Sequence, residues 1–122
     1  MLEMKRLSID EVDDYLEKRN DIEYLPSGRS EKYEQYFLFT EKNVDIGFLA
    51  IDTEEDKFID KICHFEIFNG FRRTGYGTKA VKLIIENFGP IIEATPANTE
   101  AEIFWLQCGF KESSGTLRYY IV

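Results

Sequence analysis

Arg72, Gly75 and Gly77 stand in the spacing Arg-x-x-Gly-x-Gly, with Arg73, Thr74 and Tyr76 between them, and Thr78 follows. Glycine lets a backbone turn with positive φ and removes the Cβ that would hold a ligand away, so successive N–H groups can converge on one anion. A helix that starts just after the turn adds the positive end of its dipole, and Arg72 and Arg73 bring charge to the rim. A pyrophosphate suits such a cradle. An isolated Gly-x-Gly reads more simply as a strand-to-helix turn with solvated arginines. Two arginines, an apolar segment before and an amphipathic one after favour anion binding.

Gly75-x-Gly77-x-x-Ala80 also fits a dinucleotide fingerprint, with Glu93 downstream as its acidic residue. The spacing argues against that. In a dinucleotide fold the first glycine follows its strand closely, whereas Asn69 to Thr74 intervene here. Three strands already precede the motif, and too little chain follows to complete a doubly wound sheet. The other reactive side chains give weaker signals. His64 is the only histidine, and the two cysteines, Cys63 and Cys108, have no Cys-x-x-Cys spacing, so no metal site is expected. Both lie in apolar segments, where buried free thiols are common, which fits a reducing compartment.

The elements around the motif follow from periodicity and caps. Residues 2–7 are expected to form a short strand. Ser8 with Glu11 is a capping-box pair that opens a helix at Ile9, with Ile9, Val12 and Leu16 on one face. Acids crowd its first turns and Lys18 and Arg19 its end, as the helix dipole prefers. Residues 20–34, with a Pro26-Ser27-Gly28 turn, read as a loop with room for one short helix. Tyr36–Thr40 and Asp45–Ile51 read as strands joined by a turn at Lys42-Asn43. After a charged turn at Thr53–Asp56, a third strand over Phe58–Phe68 completes an antiparallel meander.

Ala80, Val81, Ile84, Ile85 and Phe88 repeat at helical spacing over Thr78–Phe88, and Gly89-Pro90 stops that helix. Ile91–Ala94 is a short buried strand. A cap at Asn98 or Thr99 opens a last helix with Ala101, Phe104, Trp105 and Cys108 in one stripe, closed by Gly109. Leu117–Val122 reads as the final strand. The order β-α-β-β-β-α-β-α-β gives an α/β (α+β) fold, a single mixed, mostly antiparallel sheet flanked by helices.

With 122 residues the chain supports one core, so residues 1–122 form a single domain and the site must lie within it. The 43% hydrophobic content outweighs the 31% charged fraction and excludes a disordered chain. A net charge of −8 has the wrong sign for a nucleic-acid binder and would suit a cationic substrate better. No apolar run serves as a signal peptide or reaches the roughly 18 residues that span a bilayer, so a cytoplasmic protein with no membrane partner is expected.

The run Ile67 to Gly77 resembles motif A of the GNAT superfamily of N-acetyltransferases, in which an apolar residue and an aromatic precede Arg/Gln-x-x-Gly-x-Gly/Ala. Asn98-x-x-Ala101-x-x-Phe104-Trp105-x-x-x-Gly109-Phe110 resembles its motif B. The resemblance covers most of residues 36–122. It implies the GNAT acyl-CoA N-acyltransferase fold and acetyl-CoA (coenzyme A) as cofactor. The backbone around Phe65 to Ile67 would pair with the pantetheine arm. Arg72, Arg73, Thr74, Gly75, Tyr76, Gly77 and Thr78 would grip the pyrophosphate, and Asn98 would face the cofactor while capping its helix. The strands over 62–68 and 91–95 would splay to admit the acyl end.

The activity so implied is acetyl transfer to a primary amine by direct attack in a ternary complex. An amine with a pKa of about 10.4 must shed a proton before it attacks. Glu93 matches the carboxylate used as base in the related alanine acetyltransferases of ribosomal proteins, and Asp60 and Glu66 are fallbacks. His64 reads as a packed or hydrogen-bonded side chain. Asn69 replaces a frequent Pro. Trp105 stands beside the cofactor where the family most often has the Tyr that protonates the thiolate; an indole N–H can donate a hydrogen bond but is no practical general acid. A thiolate with a pKa of about 8.5 can leave without that help. A non-catalytic acyl-CoA-binding module therefore stands as the alternative to an enzyme. The acceptor, a small-molecule or peptide amine, and the choice between monomer and homodimer are left open.

Overall fold

The computed structural model describes residues 1–19, 34–53 and 56–121, so the expected loop over 20–34 lies almost wholly outside the described residues. The described elements are β1 (Glu3–Leu7), α1 (Ile9–Lys18), β2 (Glu34–Glu41), β3 (Val44–Asp52), β4 (Ile59–Ile67), α2 (Tyr76–Asn87), β5 (Ile91–Ala94), α3 (Thr99–Gln107), β6 (Lys111–Ser113) and β7 (Thr116–Tyr120). They build one seven-stranded sheet in the order β1-β2-β3-β4-β5-β7-β6. Every neighbouring pair is antiparallel except β4 and β5, which run parallel because α2 carries the chain back between them.

The helices cover the two faces of this sheet. On one face Ala80, Val81 and Ile84 of α2 and Trp105 of α3 pack with Leu49, Ile51, Ile92, Ala94 and Leu117. On the other, Val12 of α1 meets Leu38, Phe48, Ala50 and Phe68. Val12, Val81 and Ile84 are sealed from solvent, each worth about 1.5–3 kcal/mol of apolar burial. The expected capping box is present, with Glu11 N donating to Ser8 Oγ at 3.1 Å and Ser8 N to Glu11 Oε1 at 3.0 Å.

Two hairpins turn on residues with positive φ. Lys42 and Asn43, at φ 51° and 64°, join β2 to β3 as the two-residue turn whose twist matches the strands it connects. Ser114 and Gly115, at φ 51° and 87°, do the same between β6 and β7. The second hairpin corrects the sequence reading, which saw only the last strand. Lys111, Glu112 and Ser113 form a short polar edge strand with no apolar alternation to betray it. The final strand spans Thr116–Tyr120, and Val122 is outside the described residues. Likewise α2 begins at Tyr76 rather than at Thr78, because Gly75 in the left-handed region ends the turn two residues before the apolar repeat becomes visible.

Candidate functional site

The candidate site lies where β4 outruns β5. Pairing between them ends at Ile62 with Ala94, yet β4 continues to Ile67. From Phe65 to Ile67 its β5-side edge faces no strand among the described residues. On the β3 side a register shift between Ala50 and Ile51 bulges the strand at Cys63 and sets its last residues at a new angle. β5 pairs with β4 over its whole length, Ile91–Ala94, so the bare edge arises because β4 outruns β5 and not from a splaying of the two strands.

Past Ile67 the chain turns through Phe68 to Gly75 and enters α2. Phe68 N donates to Ile46 O at 2.9 Å and Phe71 N to Phe68 O at 3.1 Å, which fixes the loop to the sheet. Arg73 takes φ 62° and Gly75 φ 87°. Alternation of this kind turns consecutive amides toward one point. The first hydrogen bond inside α2 is Lys79 N to Gly75 O at 3.2 Å, and no side chain caps the helix among the described residues. The amides of Tyr76, Gly77 and Thr78 are thus the unspent donors of the first turn. A Cβ placed on Gly75 would meet nothing within 4 Å among the described residues, so the space beside this N-cap is open.

The two glycines serve different ends. Gly77 faces inward: a Cβ there would lie 3.1 Å from the Phe104 ring of α3, so it lets the two helices approach. Phe104 also stacks on Phe65 at 6.1 Å between centroids, tying β4, α2 and α3 together beneath the loop. It belongs to the apolar stripe of α3 in the sequence, although its role beside Gly77 did not show there.

The side chains expected around the loop are arranged unevenly. Arg73, Thr74 and Thr78 are exposed. Thr74 Oγ1 donates to Phe71 O, bracing the turn. Arg72 folds back, with Nε donating to Ile67 O at 2.7 Å and Nη2 3.9 Å from Glu66 Oε2. The Tyr76 hydroxyl donates to Glu41 Oε1 at 2.7 Å, anchoring the first residue of α2 to the β2–β3 hairpin. That bond lowers the Glu41 pKa and raises that of Tyr76. Asn98 caps α3, its Oδ1 accepting from Ala101 N at 2.8 Å.

Trp105 is buried and packs against Phe110 at 4.9 Å and against Phe65 and Phe104 at 5.3 Å between centroids. Glu93 lies on the opposite face of the sheet, since its neighbours Ile92 and Ala94 enter the α2–α3 core. Its Oε2 accepts from Arg118 Nε at 2.9 Å across the β5–β7 pair. That bond raises the Arg118 pKa, and hydrogen bonds with Ser113 and Arg118 lower that of Tyr120. Asp60 Oδ2 accepts from Gly89 N at 2.8 Å, a bond that holds the exit of α2. Arg118 is the site residue that sequence reasoning missed.

No family model matches the sequence, and no curated protein matches it. Solved structures do. The architecture is the GNAT acyltransferase fold, shared over almost the full chain at low identity. Variant forms of the spermidine/spermine N-acetyltransferase SpeG from Vibrio cholerae superpose with a TM-score of 0.74 at 11% identity, covering 98% of this chain and 94% of that one. The ribosomal-protein alanine N-acetyltransferase of Escherichia coli gives 0.68 at 12%, covering 97% and 91%. A GNAT-family acetyltransferase from Elizabethkingia anophelis, with acetyl-CoA bound, gives 0.67 at 13%, covering 98% of each. No helix among the described residues is long and apolar enough to cross a membrane.

Proposed function

We propose that the chain is an N-acetyltransferase that binds acetyl-CoA at the start of α2 and passes the acetyl group directly to a primary amine. The observation that carries this reading is the start of α2: a helix N-terminus with open space above Gly75 and no side chain on its first amides, beside a strand edge that β5 leaves bare. The acetyl-CoA bound in the Elizabethkingia structure supports it, as does the shared fold. These residues fit the group. The amides of Tyr76 to Thr78 would hold the diphosphate with Arg73 at the rim, and the edge of Phe65 to Ile67 would take the amide-bearing arm.

Bound acetyl-CoA supplies an acyl group already activated as a thioester. The chain's own part is to orient the amine, take its proton and keep competing nucleophiles away. Neither cysteine is poised to accept an acyl group. Cys63 is exposed, not buried as its apolar segment suggested; its sulfur turns toward Lys61 O at 3.6 Å, and partial desolvation with Glu34 nearby pushes the thiol up to about 12. Burial raises Cys108 as well. With the thiols protonated at neutral pH, direct attack by the amine is the simpler route.

A second reading, an acyl-CoA-binding module without catalysis, is favoured by one observation: an aromatic cluster holds Trp105 where the resemblance places the proton-donating Tyr. Coenzyme A release measured against a panel of small amines, peptides with free N-termini and lysine peptides separates the two. The enzyme reading expects turnover of at least one class, raised in Trp105→Tyr if protonation of the thiolate limits the rate. Binding without turnover on any member in either protein favours the module.

A further inference from the structure

Arg72 stands at the rim of the proposed phosphate loop, where its place in the sequence suggests a ligand for the diphosphate, yet its side chain points back along the chain. Nε donates to the carbonyl of Ile67, the last residue of β4, at 2.7 Å, and Nη2 lies 3.9 Å from Glu66 Oε2. The direction of that carbonyl follows from the ladder. Phe68 N donates to Ile46 O beside β3, and backbone groups alternate sides along a strand, so the N–H and C=O of Ile67 project away from β3, onto the edge that β5 leaves bare. Phe65, two residues earlier, projects the same way. Arg72 therefore occupies the last acceptor on the edge proposed for the amide-bearing arm of the cofactor.

Further bonds continue from this one. Phe71 N donates to Phe68 O at 3.1 Å, Thr74 Oγ1 donates to Phe71 O, and Lys79 N donates to Gly75 O at 3.2 Å. Together they fix the run of chain from the end of β4 to the start of α2. Among the described residues, Arg72 supplies the link that reaches the strand edge itself. Glu66 lies near the far end of the guanidinium and offsets its charge, which leaves less of it for an anion.

We infer that Arg72 is a positioning residue: by tying the end of β4 to the phosphate loop it holds the diphosphate cradle and the bare strand edge at one fixed separation, and it is not itself a ligand of the diphosphate. The inference rests on the transferase reading above, in which one acetyl-CoA molecule spans both places. A ligand that meets two half-sites binds best when their separation is already set, because the loop is then ordered before the ligand arrives. With the loop untied, each half of the cofactor still finds its partner, but the gain from joining the halves falls.

Two substitutions of matched shape separate the roles. In glutamine the side-chain nitrogen stands as many bonds from Cα as Nε does in arginine, so Arg72→Gln keeps the donor to Ile67 O and removes the charge; Arg72→Met sets a methyl group at that point and removes both. The side chain is more than half exposed, so neither change opens a cavity. By calorimetry, acetyl-CoA affinity should stay within about threefold of wild type in Arg72→Gln and fall by roughly tenfold in Arg72→Met, the loss expected for one hydrogen bond. Hydrogen exchange in the ligand-free protein should follow the same order, with the Phe71 amide exchanging about tenfold faster in Arg72→Met alone. Equal loss of affinity in the two variants overturns the inference, since the missing charge and not the missing donor would then govern binding. Unchanged affinity in Arg72→Met, or a Phe71 amide that exchanges there as in wild type, overturns it as well. Each of these leaves binding by the wild-type protein in place, whereas a wild-type protein that binds no acetyl-CoA brings down the transferase reading and this inference with it.

Discussion

Helices α2 and α3 approach each other at Gly77 and Phe104, yet their N-termini are finished in opposite ways. Asn98 caps α3 with its own side chain, and Glu100 and Glu102 complement the dipole in the first turn. α1 is finished in the same manner by Ser8 and Glu11. At α2 the N-cap is a glycine in the left-handed region, no acid stands in the first turn, and the end is held from outside by the bond between Tyr76 and Glu41. A helix end whose donors its own side chain satisfies is finished as structure. One braced from elsewhere, with no side chain on its donors, suits the anion that the proposed function places there.

The largest expected effect comes from making the two ends alike. Gly75→Asp places a carboxylate in the open space over the first amides, and acetyl-CoA affinity should fall by roughly 100-fold as charge-assisted bonds are lost. The left-handed backbone at Gly75 adds a strain of about 1–2 kcal/mol for any side chain, so the melting temperature should drop modestly alongside. A loss of stability with unchanged affinity would erase the contrast between the two ends.

Gly77→Val tests the contact between the helices instead. Its side chain must displace the Phe104 ring, and a cost of roughly 1–3 kcal/mol is expected in denaturant unfolding. Asn98→Ala should cost about 1 kcal/mol by removing the α3 cap, with acetyl-CoA affinity changing far less than in Gly75→Asp. Equal affinity losses in those two variants would mean that both ends serve the ligand.

The smallest effect concerns the outside brace. Because the bond from Tyr76 lowers the Glu41 pKa, its contribution to stability is present above the ordinary value of 4.5 and is lost as pH falls through the lowered one. Tyr76→Phe should therefore melt below wild type at pH 7 and converge with it as pH falls through the lowered Glu41 value. A gap that persists in acid would assign the difference to packing of the ring against Phe71.

Local chemistry made much of this legible in the sequence. The box at Ser8 and Glu11, the Asn98 cap, the Lys42-Asn43 turn and the glycines of the loop each announce themselves within a few residues, because caps and turns are short-range events. What stayed hidden depends on strand order. β7 enters the sheet between β5 and β6, and only that arrangement sets Arg118 against Glu93. The uneven roles of Gly75 and Gly77 likewise require the approach of α3. His64 and Glu66 stand between these extremes: their spacing on one strand puts them on the same face, whereas the early end of β5 beside them appears only in the fold.

The central claim is that the bare amides of α2 hold a diphosphate, and calorimetric titration with coenzyme A and acetyl-CoA tests it most directly, with NADH as a competitor carrying a diphosphate of its own. The account predicts saturable one-to-one binding of coenzyme A and of its acetyl thioester that NADH does not displace. Absence of binding, or displacement by NADH, would contradict it.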